Sequence, residues 1–355
     1  MPLWASSTPI AAAALLIAAV VLPGSLAIAV ACVAALLGAV IAAVHHAEVI
    51  AHRLGEPFGA LVLAVSITTI EVALIVTMML TGGPDKATLP RDTIFSAIMI
   101  ICNGVIGLCL LIGALRHQEQ AFHVVGNNAA LATLIALTTL SLVLPTFTTS
   151  SPGATYTGAQ LTFAALASLV LWGTFVFVQT VRHRDYFLPL ENRGDEQVHA
   201  PSPSVALAWG SFGLLLVALT AVVGLAKLLS PSIETAVAAA GAPQGTISIA
   251  IALLVLLPET TAALRAARAN RLQTSLNLAL GSALASIGLT IPAVAFTSML
   301  IGVPLVLGLD AKDLVLLLLT FFVTLITFVS GRGHVMMGAV HLVIFGAFVF
   351  LALVP

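Results

Sequence analysis

Two glutamates, Glu71 and Glu259, stand in otherwise apolar stretches of this chain. Glu71 is the only charged residue between positions 57 and 84, and Glu259 is the only one between 235 and 264. A carboxylate at the depth of a lipid bilayer costs about 2.5–3.5 kcal/mol, which marks it as a candidate functional group. Two such carboxylates can neutralise one divalent cation or hold two protons, and this alternative occupancy is the chemistry of exchange. Each glutamate could instead satisfy a polar group on a neighbouring helix.

A glycine box precedes each of these glutamates. Gly55 begins the sequence Gly-Glu-Pro-Phe-Gly 16 residues before Glu71, and Gly241 begins Gly-Ala-Pro-Gln-Gly 18 residues before Glu259. The near-equal spacing predicts that the chain contains the same structural device twice.

The residues beside the glutamates could complete a cation site. Thr68 lies three residues before Glu71 and so shares its helical face. Pro258 directly precedes Glu259 and has no backbone N–H, so we expect unwound backbone with available carbonyls there. Carboxylates together with neutral oxygens are the ligands that a hard cation such as Ca²⁺ prefers.

Polar groups also occupy the span that follows each glutamate. Asn103 lies after the first, and Ser282 and Ser286 lie after the second. They could supply amide or hydroxyl oxygens to a cation. Small residues at such positions are also ordinary packing between membrane helices, so both interpretations stay open.

A stripe of titratable residues precedes the first box. His45, Glu48 and His52 are spaced i, i+3 and i+7, which places them on one face of a helix, and His46 adjoins them. Glu48 could pass protons or cations towards Glu71, and histidine titrates near physiological pH. The stripe is thus a candidate proton relay or pH sensor, or simply a polar cluster at a helix end.

The elements that position these residues must be membrane helices. Of 355 residues, 60% are hydrophobic and only 8% are charged, whereas soluble domains carry about 25% charged residues. The apolar runs do not alternate as barrel strands do, so we predict an all-α polytopic protein. The eleven predicted spans are 8–22, 25–53, 57–81, 92–115, 127–144, 158–181, 204–229, 243–265, 273–301, 311–330 and 334–354.

The one long polar connection divides the chain into two halves. We expect an extra N-terminal helix over 1–24, a first five-helix repeat over 25–181, a cytoplasmic linker over 182–203 and a second repeat over 204–355. Each repeat has an odd number of spans, so the two run in opposite senses, as in many secondary transporters.

The distribution of basic residues predicts the orientation. Nine of the 13 lysines and arginines fall on the side of the N-terminus, which is therefore assigned to the cytoplasm, with the C-terminus outside. The formal net charge of −1 gives no reason to expect a nucleic-acid partner. The three cysteines lie in apolar segments and suggest neither disulfides nor a metal cluster.

These motifs resemble those of the bacterial ChaA-type calcium/proton antiporters, in the cation/proton exchanger branch of the calcium/cation antiporter superfamily. The likeness is carried by three segments, 45–71, 100–104 and 277–292. It implies one extra helix followed by two inverted five-helix repeats.

The resemblance also implies roles for individual residues. Glu71 and Glu259 match the acidic residues of the two repeat motifs, and Glu48 matches an acidic position on the preceding helix. Asn103 and Ser282 match polar positions on the helices that follow. The family's usual Gly-Asn pair before each acidic residue is absent: Thr68-Thr69 and Leu257-Pro258 stand there, with Thr260 in place of a histidine. Ion choice among Ca²⁺, Na⁺ and K⁺ therefore stays open.

The sequence thus predicts a cation/proton antiporter of the bacterial inner membrane that needs no cofactor. Its expected partners are the transported cation, protons and the lipid bilayer, and a homo-oligomer is compatible with the sequence. A passive cation channel is the alternative. An intramembrane enzyme is disfavoured because the chain has no His-Glu-x-x-His motif and no arginine near Glu71 for binding phosphate.

Overall fold

The computed structural model describes residues 2–21, 26–55, 58–82, 86–188, 203–239, 241, 243, 245–303 and 305–354. These residues form eleven long helices, numbered here in chain order. Their bounds are α1 Leu3–Val21, α2 Leu26–Leu54, α3 Phe58–Gly82, α4 Leu89–His117, α5 Val124–Phe147, α6 Gly158–Arg182, α7 Val205–Ala239, α8 Gly245–Arg268, α9 Leu272–Ile301, α10 Ala311–Val329 and α11 Val335–Leu353. The remaining elements are a 3-10 turn at Arg184–Tyr186 and two short strands, β1 Gln120–Ala121 and β2 Arg332–Gly333.

Ten of these helices are long and apolar enough to cross a membrane, and α3 contributes a further apolar segment, Val65–Leu80. The expected all-α polytopic fold is therefore confirmed. Helix α1 begins five residues before its predicted start at position 8. The reason is local: Thr8 donates its hydroxyl to the Trp4 carbonyl at 2.6 Å and Ser6 donates to the Leu3 carbonyl at 3.1 Å. Both hydroxyls bond inside the helix, so the polar first turn can join it.

The two glycine boxes begin with the same backbone conformation. Gly55 has a φ of +69° and Gly241 has a φ of +65°, in the left-handed region that glycine adopts without steric cost. Helix α2 ends just before Gly55, and α7 ends two residues before Gly241. The parts of the boxes at positions 56, 57, 242 and 244 lie outside the described residues.

Three of the helices contain π-helical turns. The turns cover Ile100–Val105 in α4, Thr139–Val143 in α5 and Val178–Arg182 in α6. A π turn widens a helix locally and occurs often at functional positions. The turn in α4 contains Asn103, one of the residues that the sequence singles out.

The chain divides into two compact units, which cut across the sequence repeats. One unit consists of Met1–Lys86 and Glu196–Ile247, and the other of Ala87–Asp195 and Ser248–Pro355. Each predicted repeat therefore contributes helices to both units. Of the predicted linker over 182–203, the stretch 189–202 lies outside the described part of the chain.

In the first unit, α1 packs closely on α2 and α7 through small residues. A Cβ at Gly38 would lie 2.8 Å from the Thr8 methyl carbon, and one at Gly224 would meet the Leu16 side chain. His46 adds a polar contact, because its Nε2 lies 2.8 Å from the Ala5 carbonyl oxygen. The extra N-terminal helix is therefore an integral part of this bundle.

In the second unit, α4 is the most enclosed of the ten candidate spans and α9 is the next. Gly288 of α9 packs so closely on α6 that a Cβ there would lie 2.5 Å from Trp172 Cβ. Helix α11 approaches α4 in the same way, since a Cβ at Gly338 would lie 2.6 Å from the backbone nitrogen of Leu111. Such contacts between small residues are typical of helices packed in membranes.

Connections that the sequence assigns to one side of the membrane lie together within each unit. In the first unit, an Arg53 nitrogen donates to the Pro203 carbonyl at 3.2 Å. In the second, β1 pairs with β2 in antiparallel register. On the opposite end, the backbone nitrogen of Val306 donates to the Ala87 carbonyl, and that of Gly308 donates to the Ala154 carbonyl. Connections in contact are thus ones that the predicted membrane spans place on the same side.

Candidate cation and proton site

Glu71 lies on the enclosed face of α3. Its exposed fraction is 3%, and that of Thr68, one turn earlier, is 4%. Thr69 is exposed, and its hydroxyl donates to the Val65 carbonyl of its own helix at 2.7 Å. The spacing-based prediction that Thr68 shares a face with Glu71 therefore agrees with the burial of both side chains.

Glu259 is half-buried on α8, where α9 supplies a hydroxyl to its carboxylate. The Ser282 hydroxyl donates to Glu259 Oε1 at 3.4 Å, so a polar residue predicted beside the second glutamate does contact it. Ser286 lies one turn further along α9 with an exposed fraction of 4%. The two serines thus extend along one side of α9.

The unwound backbone expected beside Glu259 is not present, and this expectation was wrong. Helix α8 runs without a break from Gly245 to Arg268 and contains Pro258 in its interior. The hydroxyl of Thr261 donates to the Pro258 carbonyl at 2.8 Å and that of Thr260 to the Leu256 carbonyl at 2.7 Å. Neither hydroxyl reaches the carbonyl of Leu254, the one that Pro258 leaves without a backbone donor, so both are ordinary local bonds within a continuous helix.

Asn103 is fully buried and belongs to a polar network that the sequence did not predict. Its Nδ2 donates to the Thr320 hydroxyl of α10 at 2.8 Å, and its Oδ1 lies 3.2 Å from Nδ1 of His341 in α11. The other ring nitrogen of His341 lies 3.0 Å from the Thr327 hydroxyl. The signal that could have pointed to this network is the single titratable side chain of α11, which is His341.

The titratable stripe of α2 is divided in the structure. His45 and His46 face α1: the His45 ring centroid lies 5.1 Å from that of Trp4, and His46 is fully buried. Glu48 and His52 are exposed. His45 and Glu48, which the spacing placed on one stripe, therefore lie in different surroundings. His46, their neighbour, bonds to α1.

In the described part of the chain, no three side chains among histidine, cysteine, aspartate and glutamate come together as a metal cluster would require.

The fold and these intramembrane carboxylates define a class of membrane cation transporter. Residues 24–181 and 210–354 match the family described as sodium/calcium exchanger protein. The chain belongs to that family, and the resemblance identified from the motifs is confirmed. Membership of this family places the chain among transporters rather than enzymes.

Two curated relatives align with most of the chain. The protein y4hA of Sinorhizobium fredii (strain NBRC 101917 / NGR234), named as an ionic transporter, is 48% identical over 100% of this chain and 97% of its own length. The sodium-potassium/proton antiporter ChaA of Escherichia coli (strain K12) is 35% identical over 88% of this chain and 85% of its own length.

Solved structures with the same fold include native YfkE and the H⁺/Ca²⁺ exchanger CAX. YfkE has a TM-score of 0.71 at 16% identity and covers 98% of this chain and 99% of its own. CAX has a TM-score of 0.70 at 17% identity and covers 98% of this chain and 88% of its own. At these identities the likeness establishes the fold alone.

Proposed function

We propose that this chain is a secondary active antiporter that exports Ca²⁺, Na⁺ or K⁺ from the cytoplasm in exchange for protons. The observation that carries the proposal is the pair of glutamates placed on apolar helices of an exchanger-family chain, Glu71 on α3 and Glu259 on α8. Glu71 is buried, and Glu259 accepts a hydrogen bond from Ser282. The name of the ChaA relative, a sodium-potassium/proton antiporter, supports exchange of a cation for protons.

In the proposed cycle, each carboxylate alternates between a proton and a share of the cation. Protons that enter from outside neutralise the carboxylates, and the cation then leaves because its countercharge is lost. Cation from the cytoplasm later displaces the protons towards the inside. The pairing of Glu71 with Glu259 is inferred from the inverted sequence repeat, as is alternating access around a fixed site. Thr68, Asn103, Ser282 and Ser286 are proposed to supply neutral oxygens.

The proposed location is the bacterial inner membrane, with the N-terminus in the cytoplasm and the C-terminus outside. Glu48, His45 and His52 are proposed to relay protons or sense pH at the cytoplasmic end of α2. The exposure of Glu48 and His52 is compatible with exchange of protons with water.

The test is proton movement in everted membrane vesicles on addition of Ca²⁺, Na⁺ or K⁺. We expect the unaltered chain to drive protons out of the vesicles against the proton gradient when the cation is added. Glu71→Gln and Glu259→Gln should each abolish this proton release, because an amide cannot exchange a proton for a cation. Glu119→Gln is the matched control, since Glu119 is an exposed residue that pairs with Arg332 at 3.1 Å. Full exchange by either intramembrane variant would refute the proposal, and cation flux that never drives protons uphill would indicate the channel instead.

A further inference from the structure

Four polar side chains form a closed cluster inside the second unit. They are Asn103 of α4, Thr320 and Thr327 of α10, and His341 of α11, and each has an exposed fraction of 0%. Burying polar groups is costly unless they bond to one another, and here each bonds to another member of the cluster. We call this the Asn103–His341 network.

The hydrogen bonds determine the orientation of the Asn103 carboxamide. The Thr320 hydroxyl donates to the Leu316 carbonyl at 2.7 Å, so it is an acceptor towards Asn103. The carboxamide nitrogen therefore faces Thr320, and a second proton of the same nitrogen points towards Met99 Sδ at 3.9 Å. The carboxamide oxygen must then face His341.

The orientation of Asn103 in turn assigns the proton on His341. An amide oxygen only accepts hydrogen bonds, so Nδ1 of His341 carries the proton in the 3.2 Å contact with Asn103 Oδ1. Nε2 then accepts from the Thr327 hydroxyl across 3.0 Å, which requires that hydroxyl to turn its single proton to the ring rather than to the Val323 carbonyl 2.9 Å away. One neutral tautomer of His341 satisfies its contacts with both Asn103 and Thr327, and the ring also has a hydrogen bond with the Cys102 backbone.

Backbone packing keeps the imidazole from moving away. A Cβ at Gly107 of α4 would lie 2.9 Å from the Cβ of His341, and one at Gly338 of α11 would lie 2.9 Å from the Gly107 carbonyl oxygen. The two helices are thus in direct contact at the residue that carries the ring. The donor to Asn103 is held by rigid elements rather than by a loop.

We propose that His341 is a positioning residue for transport, and this inference rests on the proposed function. An asparagine carboxamide can turn end for end with little change in packing, and the wrong end would present N–H donors to a cation. Nδ1–H of His341 and the hydroxyl of Thr320 together select one orientation. Asn103 Oδ1 accepts one bond and keeps its second lone pair for the transported cation.

The test compares two amides at position 341. The side-chain nitrogen of His341→Asn lies close to the position of Nδ1, so this variant keeps a donor to Asn103 Oδ1. His341→Gln reaches the position of Nε2 and keeps the contact with Thr327 only. We expect His341→Gln to raise the apparent KM for the transported cation on the order of tenfold at nearly unchanged maximal rate, and His341→Asn to stay within about twofold of the unaltered chain.

A second pair of variants tests the other end of the carboxamide. Thr320→Val removes the acceptor for Asn103 Nδ2 and should raise the same apparent KM. Thr324→Val is the matched control, since Thr324 is equally buried on α10 and its hydroxyl donates to the Thr320 carbonyl of its own helix at 2.7 Å. It should leave the apparent KM unchanged.

The measurements are antiport in proteoliposomes with Ca²⁺, Na⁺ and K⁺ in turn, and thermal unfolding of each purified variant. If His341→Gln and His341→Asn lower thermal stability alike while the apparent KM stays at its original value, His341 only packs and the inference is wrong. If Glu71→Gln and Glu259→Gln are inactive but Thr320→Val behaves like Thr324→Val, this inference fails while the proposed function stands. Full activity of the glutamate variants would overturn the proposed function itself.

Discussion

The Ser282 hydroxyl of α9 donates a hydrogen bond to the carboxylate of Glu259 on α8. The 3.4 Å distance is long for a hydrogen bond between two oxygens, so its net contribution should be at the low end, about 0.5–1 kcal/mol. We therefore expect Ser282→Ala to raise the apparent KM for the cation by about two- to fivefold, measured as antiport in proteoliposomes.

Ser275→Ala provides the control for that prediction. Ser275 lies on the same helix, but its hydroxyl donates to the backbone carbonyl of Ala263 at 2.9 Å rather than to a carboxylate. It should alter thermal stability more than apparent KM. Equal effects of both serine variants on the apparent KM would show that Ser282 acts through helix packing.

The candidate ligands differ in how far the sequence could identify them. Glu71 and Glu259 are visible because a charge in a long apolar run is conspicuous without any knowledge of packing. The partner of Asn103 is not visible, because His341 lies 238 residues further along the chain. Only the contact of α11 with α4 brings the two side chains together. Residue chemistry marks the candidates, and tertiary packing decides what each one bonds to.

The interface between α4 and α11 depends on small residues. Gly338→Ala would place a Cβ 2.6 Å from the Leu111 backbone nitrogen, which cannot move aside as a flexible side chain could. Overpacking of this kind costs about 1–3 kcal/mol, so we expect a lower midpoint of thermal unfolding in detergent. Since His341 lies one turn away, the apparent KM should rise as well.

Gly346→Ala is the matched control on the same helix. Nothing lies within 4 Å of the Cβ that this change would add, and alanine is favoured over glycine in a helix by about 0.5–1 kcal/mol. The midpoint should be unchanged or slightly higher. A midpoint for Gly338→Ala as high as that of Gly346→Ala would contradict the close approach of the helices.

The helices were predictable in number and mostly in place, while their local deviations were not. Hydropathy detects apolar length, so all eleven spans coincide with helices. It cannot show that α7 continues to Ala239 through Pro231, nor that α8 stays intact at Pro258. Both depend on which neighbours satisfy the backbone, and hydropathy carries no such information.

Orientation in the membrane is the prediction that concerns the whole molecule. Ser150 and Glu119 are exposed and lie on connections assigned to the outside and to the cytoplasm. We expect Ser150→Cys to react with an impermeant maleimide in intact cells and Glu119→Cys to react only after permeabilisation. The native thiols should give little background because all three are buried. The reverse pattern of labelling would invert the proposed direction of transport.

The inverted repeat and the compact units describe the molecule in two different ways. The repeat follows from sequence features that recur, such as Gly55 and Gly241. The units follow from which helices pack together, and they draw helices from both repeats. A repeat in sequence therefore did not predict the units, because packing of helices depends on side-chain shapes that hydropathy does not distinguish.

The π turn at Ile100–Val105 determines how α4 would tolerate a change of length. An α-helix rotates by about 100° per residue, so an insertion in α4 would turn every later residue away from its original neighbour unless a widened turn absorbed it. The π turn absorbs such an extra residue, so Gly107 keeps its close contact with α11 while Asn103 reaches both Thr320 of α10 and His341 of α11. Deleting one residue from this turn would be expected to restore regular α geometry there at the expense of the register between Asn103 and Gly107. The turn thus sets the register in which one helix presents both a buried amide and a closely packed glycine to its neighbours.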